Sequence, residues 1–287
     1  MNTNRAKQLL ITAPDSKPAY GGDQGWFSSN TRAQGGCSSI AGANALRALC
    51  RTNNEFRTEV KNNRKLPCEI KDALLSNVPG RDVFEILMTG IYNTVGAFVL
   101  FPLNLIYDKC SRNNVFFGKV RPNQGQTNVG AIVGIIRFAR KFGLNLAVKS
   151  LPAPFLSKEK ARDFIEEGLK TSGSVILLTS YNEHNVRLYN ATASLDEHLD
   201  KSFGWDASVK CHFTTITDMD GDRILITTWG KPAVIDFNEL AGSWQSIKAF
   251  ESTLMYLYPS TRSEATRCML GSWKVFISCI FHSIIRR

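Results

Sequence analysis

The spacing of apolar residues changes character halfway along the chain. In the first half it follows a helix. Residues 38–51 put Ile40, Ala43, Leu46 and Leu49 on one face, and their alanines favour helix. Residues 127–142 repeat the pattern with Val129, Ile132, Val133, Ile136 and Ala139 inward. Arg137, Arg140 and Lys141 lie toward the C-terminal end, where cations are favoured, and Gly143 can end the helix. Residues 82–107 are apolar enough to suggest a membrane span. Glu85, Asn93, Asn104, Gly90, Gly96 and Pro102 interrupt them, so buried core helices are expected instead. Between these segments, residues 52–71 are charged and asparagine-rich and read as surface.

The second half reads differently. Residues 157–171 predict an amphipathic helix capped by Ser157. Short apolar runs of strand length then dominate: 174–181, 212–229, 234–237 and 252–259. Asp220–Gly221 marks a hairpin turn inside 212–229, and 238–250 predicts a short helix. Helices first and antiparallel strands second predict an α+β fold. Residues 1–19 read as a polar lead-in punctuated by Pro14 and Pro18. The tail, 260–287, leaves three readings open: a docked helix, an interfacial anchor carrying Trp273, Phe276 and Phe281, or a disordered end.

Composition narrows the function classes. The 287 residues are 43% hydrophobic, enough for a sizeable core rather than a disordered chain. Lysine and arginine outnumber acids by 35 to 25, but no basic run is interleaved with aromatics, so no nucleic-acid partner is expected. The seven cysteines have irregular spacing and no CxxC pair, which fits a reduced protein rather than a zinc or redox module. Met1–Tyr20 lacks the apolar core of a signal peptide. The expected location is cytoplasmic, although a non-classical export route would leave no trace. Membrane contact, if any, falls on 268–287.

Candidate chemistry centres on Cys37. It follows Gly35–Gly36 and opens a predicted helix, where unpaired N–H groups and the helix dipole favour a thiolate. Of the four histidines, His184 and His198 lie in polar surroundings and His282 in the tail. His212 starts a hairpin, a rigid mount for a base. A cysteine at a helix N-terminus and a histidine on a strand form a pair able to attack a carbonyl.

The order Cys37, His212, then Trp229–Gly230 resembles papain-like cysteine peptidases. The resemblance is nearest to a group of uncharacterised papain-like proteins from Clostridia and their relatives. Tyr20-Gly21-Gly22-Asp23-Gln24-Gly25-Trp26-Phe27, Gly36-Cys37-Ser38 and the following Ile40-Ala41-Gly42-Ala43-Asn44 match that group's N-terminal signature in order. The later His-x-x-Thr-Ile-Thr and Thr-Trp-Gly segments match as well. The resemblance implies a papain-like domain over 20–259, with an N-terminal helical lobe bearing the nucleophile helix and a C-terminal antiparallel β-sheet lobe. It implies Cys37 as nucleophile, His212 as base, Gln24 as oxyanion donor and Thr227 where the family has the asparagine that orients the histidine. Trp229 would shield the pair. The implied substrate is a peptide or protein, cleaved through an acyl-enzyme without a cofactor.

This chain departs from the family pattern in three places. Thr227 replaces asparagine, so Thr227, Thr228, Asp218 or no residue could be the third member. Ser38 replaces the glycine after the nucleophile. The family's glutamine six residues before the cysteine is Thr31 here, leaving Gln24 and Gln34, of which Gln24 lies in the matching signature. The same fold and pair also serve acyltransferases and amidases, or a catalytically silent binding module. Asp218, Asp220 and Asp222 alternate like part of a calcium loop, but Arg223 and Trp229 occupy the positions needing glycine and glutamate, so no metal is expected.

Overall fold

The computed structural model describes residues 9–13, 17–28, 33, 35–95, 128–153, 156–179, 186–191, 208–210, 212–245, 252–268 and 271. The readings for Thr31, Gln34, His184, His198, His282, residues 96–107 and most of the tail lie outside the described residues.

A hairpin of β1 (Leu10–Thr12) and β2 (Pro18–Tyr20) comes first. Five helices follow: α1 (Cys37–Thr52), α2 (Asn54–Asn62), α3 (Cys68–Leu75), α4 (Arg81–Val95) and α5 (Asn128–Lys141). Then come β3 (Leu146–Pro152), α6 (Lys158–Ser172), β4 (Val175–Thr179), β5 (Val186–Arg187) and β6 (Ser208–Val209). The described chain continues through β7 (His212–Asp220), β8 (Arg223–Thr228), β9 (Lys231–Asp236), α7 (Phe237–Ser243) and β10 (Thr253–Pro259). Six strands form one antiparallel sheet in the order β3-β10-β4-β7-β8-β9. The α+β expectation holds.

Strand alternation divides the core in two. Ile176, Leu178, Phe213, Met255 and Leu257 pack with the helices of the first half. Val175, Leu177, Ile216, Ile226, Leu254 and Tyr256 pack on the other side with α6 and α7. Helix ends follow local chemistry. Ser157 accepts from the Lys160 N–H as the cap of α6, and Gly173 ends that helix in a left-handed conformation at φ 72°. The region read as charged surface holds α2 and α3. Phe56, Val60, Ile70, Ala73 and Leu74 bury a narrow stripe beneath the charges.

The described residues of the lead-in, 9–13 and 17–19, pack with the rest of the chain. Ile11 and Ala19 belong to the first core cluster. Arg47, wholly buried on α1, donates to Leu10 O at 3.2 Å, Ala73 O at 2.8 Å and Asn77 O at 2.8 Å. Burial lowers its pKa to about 10, so three carbonyls hold a cation taken out of water. At the other end, residues 262–268 are helical. Ala265 joins the core and the Cys268 thiol donates to Val148 O at 2.8 Å, so this part of the tail is docked. Among the described residues no helix is long and apolar enough to cross a membrane.

Candidate active site

The helix that begins with Cys37 is built to be enclosed. Its first fourteen residues, Cys37–Cys50, are all buried, which the small residues of CSSIAGANA permit. Gly42 lets α5 approach so closely that a Cβ there would lie 3.0 Å from Ile135. Gly36 caps the helix without a side chain to satisfy its first amides. Burial is the largest influence on the Cys37 thiol and pushes its pKa up. The N–H groups of Phe213, Ser38 and Cys37 itself pull the other way with less effect. The helix N-terminus expected to favour a thiolate is present, but desolvation outweighs it.

His212 begins β7, half-buried. Burial lowers its imidazole to about 4. Burial thus favours the neutral form of both Cys37 and His212. Thr228 Oγ1 lies 2.8 Å from His212 Nε2. If that nitrogen carries the proton, the threonine accepts it, and Nδ1 is left with its lone pair available.

The partner is thus Thr228 and not Thr227, and a β-bulge is the reason. At the turn end of the ladder Asp220 pairs with Arg223 and Asp218 with Leu225. Beyond a register shift, Ile216 pairs with Ile226 and Thr215 with Thr227. The extra residue, Thr217, reverses which side chains of β8 share a face with the start of β7. Without the bulge Thr227 would stand on the His212 face. With it, Thr227 faces the same way as Thr215 and Thr228 reaches the imidazole, and the pocket at this end of the ladder is lined from both faces. Asp218, the acidic alternative, is buried further along β7 and does not line the pocket.

Trp229 covers the histidine. The two rings are stacked, with centroids 4.6 Å apart and planes within 15°. Trp229 and Gly230 form the two-residue turn between β8 and β9, both at positive φ, 49° and 70°. A tryptophan in left-handed backbone is strained by about 1–2 kcal/mol. Among the described residues it is the single non-glycine in that region.

Gln24 opens a 3-10 turn (Gln24–Trp26) in which the Asp23 carboxylate accepts from the Gly25 N–H at 2.8 Å. The Arg81 guanidinium sits over the Trp26 ring at 5.9 Å and steadies the turn. Gln24, Cys37, Asn44, His212, Thr227, Thr228 and Trp229 converge on one small pocket. Gln24 Oε1 and Thr227 Oγ1 are buried there without hydrogen-bond partners. Each unpaired polar atom costs about 1–3 kcal/mol, which suits the pocket to a polar group: the Gln24 oxygen accepts and the Thr227 hydroxyl can donate or accept.

All four residues singled out in the sequence therefore line one pocket: Cys37, His212, Gln24 and Thr227. Sequence reasoning preferred Thr227 and kept Thr228 as an alternative for the histidine's partner; the bulge is what brings Thr228 to the imidazole. It missed the role of Asn44, although an asparagine inside an apolar helical run was a visible signal. Among the described residues no three His, Cys, Asp or Glu side chains cluster closely enough to hold a metal ion. In comparisons with known proteins, the chain matches no family model and no curated protein.

Proposed function

We propose that this protein is a cysteine-dependent hydrolase of papain-like architecture that cleaves a peptide or isopeptide amide through an acyl-enzyme. The observation that carries the reading is that Cys37, His212 and Gln24 line one pocket, with His212 held by Thr228 and covered by Trp229. Burial favours a neutral resting pair, so the thiol proton moves during attack. Cys37 Sγ bonds to the acyl carbon as His212 Nδ1 takes the thiol proton. The Gln24 amide N–H and the Cys37 backbone N–H donate to the oxyanion. The C–N bond then breaks, and the imidazolium protonates the leaving amine. Water, deprotonated by His212, resolves the thioester and releases the acid. Thr228 keeps the imidazole in the tautomer this sequence requires.

Peptidyl p-nitrophenyl esters test this reading. We expect a burst approaching one nitrophenolate per chain, followed by slower turnover, with both lost in Cys37→Ala. A parent protein without a burst ends the hydrolase reading. A second reading has its own support: burial that raises the thiol and lowers the imidazole also suits a catalytically silent binding module. That module would give no burst yet bind peptides in equilibrium dialysis.

A further inference from the structure

Three elements must meet for this site to exist: the helix bearing Cys37, the loop bearing Gln24 and the strand bearing His212. One buried amide touches all three. Asn44 lies seven residues after Cys37, two turns along the same face of α1. It is 2% exposed and lines the pocket. Its Oδ1 accepts from the Gly22 N–H at 3.0 Å, two residues before Gln24. Its Nδ2 donates to Thr215 Oγ1 at 3.2 Å, three residues after His212.

The loop is shaped for this contact. Gly21 holds φ at 84°, and a Cβ there would come within 2.7 Å of the Asn44 amide. The same loop continues to the tryptophan turn: Tyr20 N–H donates to Gly230 O at 2.8 Å, and Gly230 N–H donates to Gly22 O at 3.2 Å. A path of hydrogen bonds thus runs from Thr215 through Asn44 and Gly22 to the turn whose tryptophan stacks on His212.

We infer that Asn44 is a positioning residue, setting the loop of Gln24 and the strand of His212 in register with Cys37. The inference rests on the proposed Cys–His chemistry. Asn44 touches no reacting atom in this role. It acts through Thr215 on the strand and through Gly22 on the loop and turn. A merely structural amide would affect stability but not the way His212 governs the thiol.

The test reads the rate of Cys37 alkylation by iodoacetamide from pH 4 to 10, mapped by peptide mass, with exposed Cys68 as the internal reference. Thermal unfolding is followed on the same samples. In the parent, His212-assisted alkylation persists at neutral pH. In His212→Ala it follows thiol ionisation alone and moves to alkaline pH. We expect Thr215→Val, which removes one end of the bridge at little change in volume, to shift the profile toward that of His212→Ala. The neutral-pH rate should fall about 10-fold or more, a loss typical of outer supporting hydrogen bonds. Thr215→Ser should restore the parent profile. Asn44→Leu should shift it further; should that variant not fold, the threonine pair carries the test.

A Thr215→Val protein with the parent's profile overturns the positioning role and leaves the hydrolase proposal standing. A serine variant as defective as the valine variant overturns it too, because the hydroxyl is then not the agent. A His212→Ala protein with the parent's profile overturns the Cys–His reading itself, and the positioning role falls with it.

Discussion

Strand β8 ends in two two-residue turns that obey different rules. At one end Gly221 and Asp222 connect β7 to β8. Gly221 takes the left-handed conformation, φ 58°, and a Cβ there would meet nothing within 4 Å. Asp222 pairs with Arg162 at 2.7 Å on the surface. At the other end Trp229 and Gly230 connect β8 to β9, with a large aromatic residue forced to positive φ against the His212 ring. The first turn uses the residues a hairpin favours. The second accepts strain, and it does so beside the candidate site. Backbone strain retained by a bulky side chain is evidence that the side chain's position matters.

Substitutions can break this contrast. The largest effect is expected at the residue the strained turn protects. His212→Ala should lower the burst rate with p-nitrophenyl esters by about 10²–10⁴-fold, whereas the surface turn offers no substitution of comparable effect. The same histidine should set the acid limit of stability. Its imidazole titrates at 6.5 in the unfolded chain and about 4 in the folded one. Between those values the unfolded chain binds a proton that the folded chain refuses, so stability falls as pH drops from 6.5 toward 4. The gap corresponds to about 3 kcal/mol. Urea melts across that window should show this slope in the parent and lose it in His212→Ala.

A smaller effect is expected at Trp229. Trp229→Gly relieves about 1–2 kcal/mol of backbone strain and forfeits a ring stack worth about 0.5–1.5 kcal/mol. Melting should therefore change little, while the burst rate falls about 10-fold, as for other supporting contacts. An unchanged burst would show that the stack serves packing alone. The smallest effects compare the turns directly. Gly221→Ala and Gly230→Ala face similar positive φ values, and neither new Cβ would meet an atom closer than 3.6 Å. Each should cost about 1–2 kcal/mol by denaturant melting. Gly230→Ala alone should also slow the burst, because Gly230 bonds the loop of Gln24.

The sequence was legible where local chemistry decides. Asp220–Gly221 placed the hairpin of β7 and β8, and the apolar spacing of 127–142 gave α5. The convergence of Cys37, Gln24 and His212 followed from motif order. Three features were not legible. The bulge at Thr217 depends on pairing between strands, and it alone decides that Thr228 rather than Thr227 meets the imidazole. The protonation state of Cys37 depends on burial, which a helix start does not reveal. Helices α2 and α3 were hidden because charged residues surround stripes only two or three apolar residues wide.

The last strand of the sheet lies between two much earlier ones: β10, ending at Pro259, separates β3 from β4. During synthesis, His212 therefore exists before the sheet that will carry it can close. The 47 residues from His212 to Pro259 take roughly 2–9 s to add at roughly 5–20 residues per second. For that interval β3 and β4 each hold an open edge toward a strand not yet made, the kind of edge that pairs with foreign chains. Assembly of the pocket is thus a late event for the nascent polypeptide, and slowing translation across 213–259 should lengthen the time it spends exposed to aggregation.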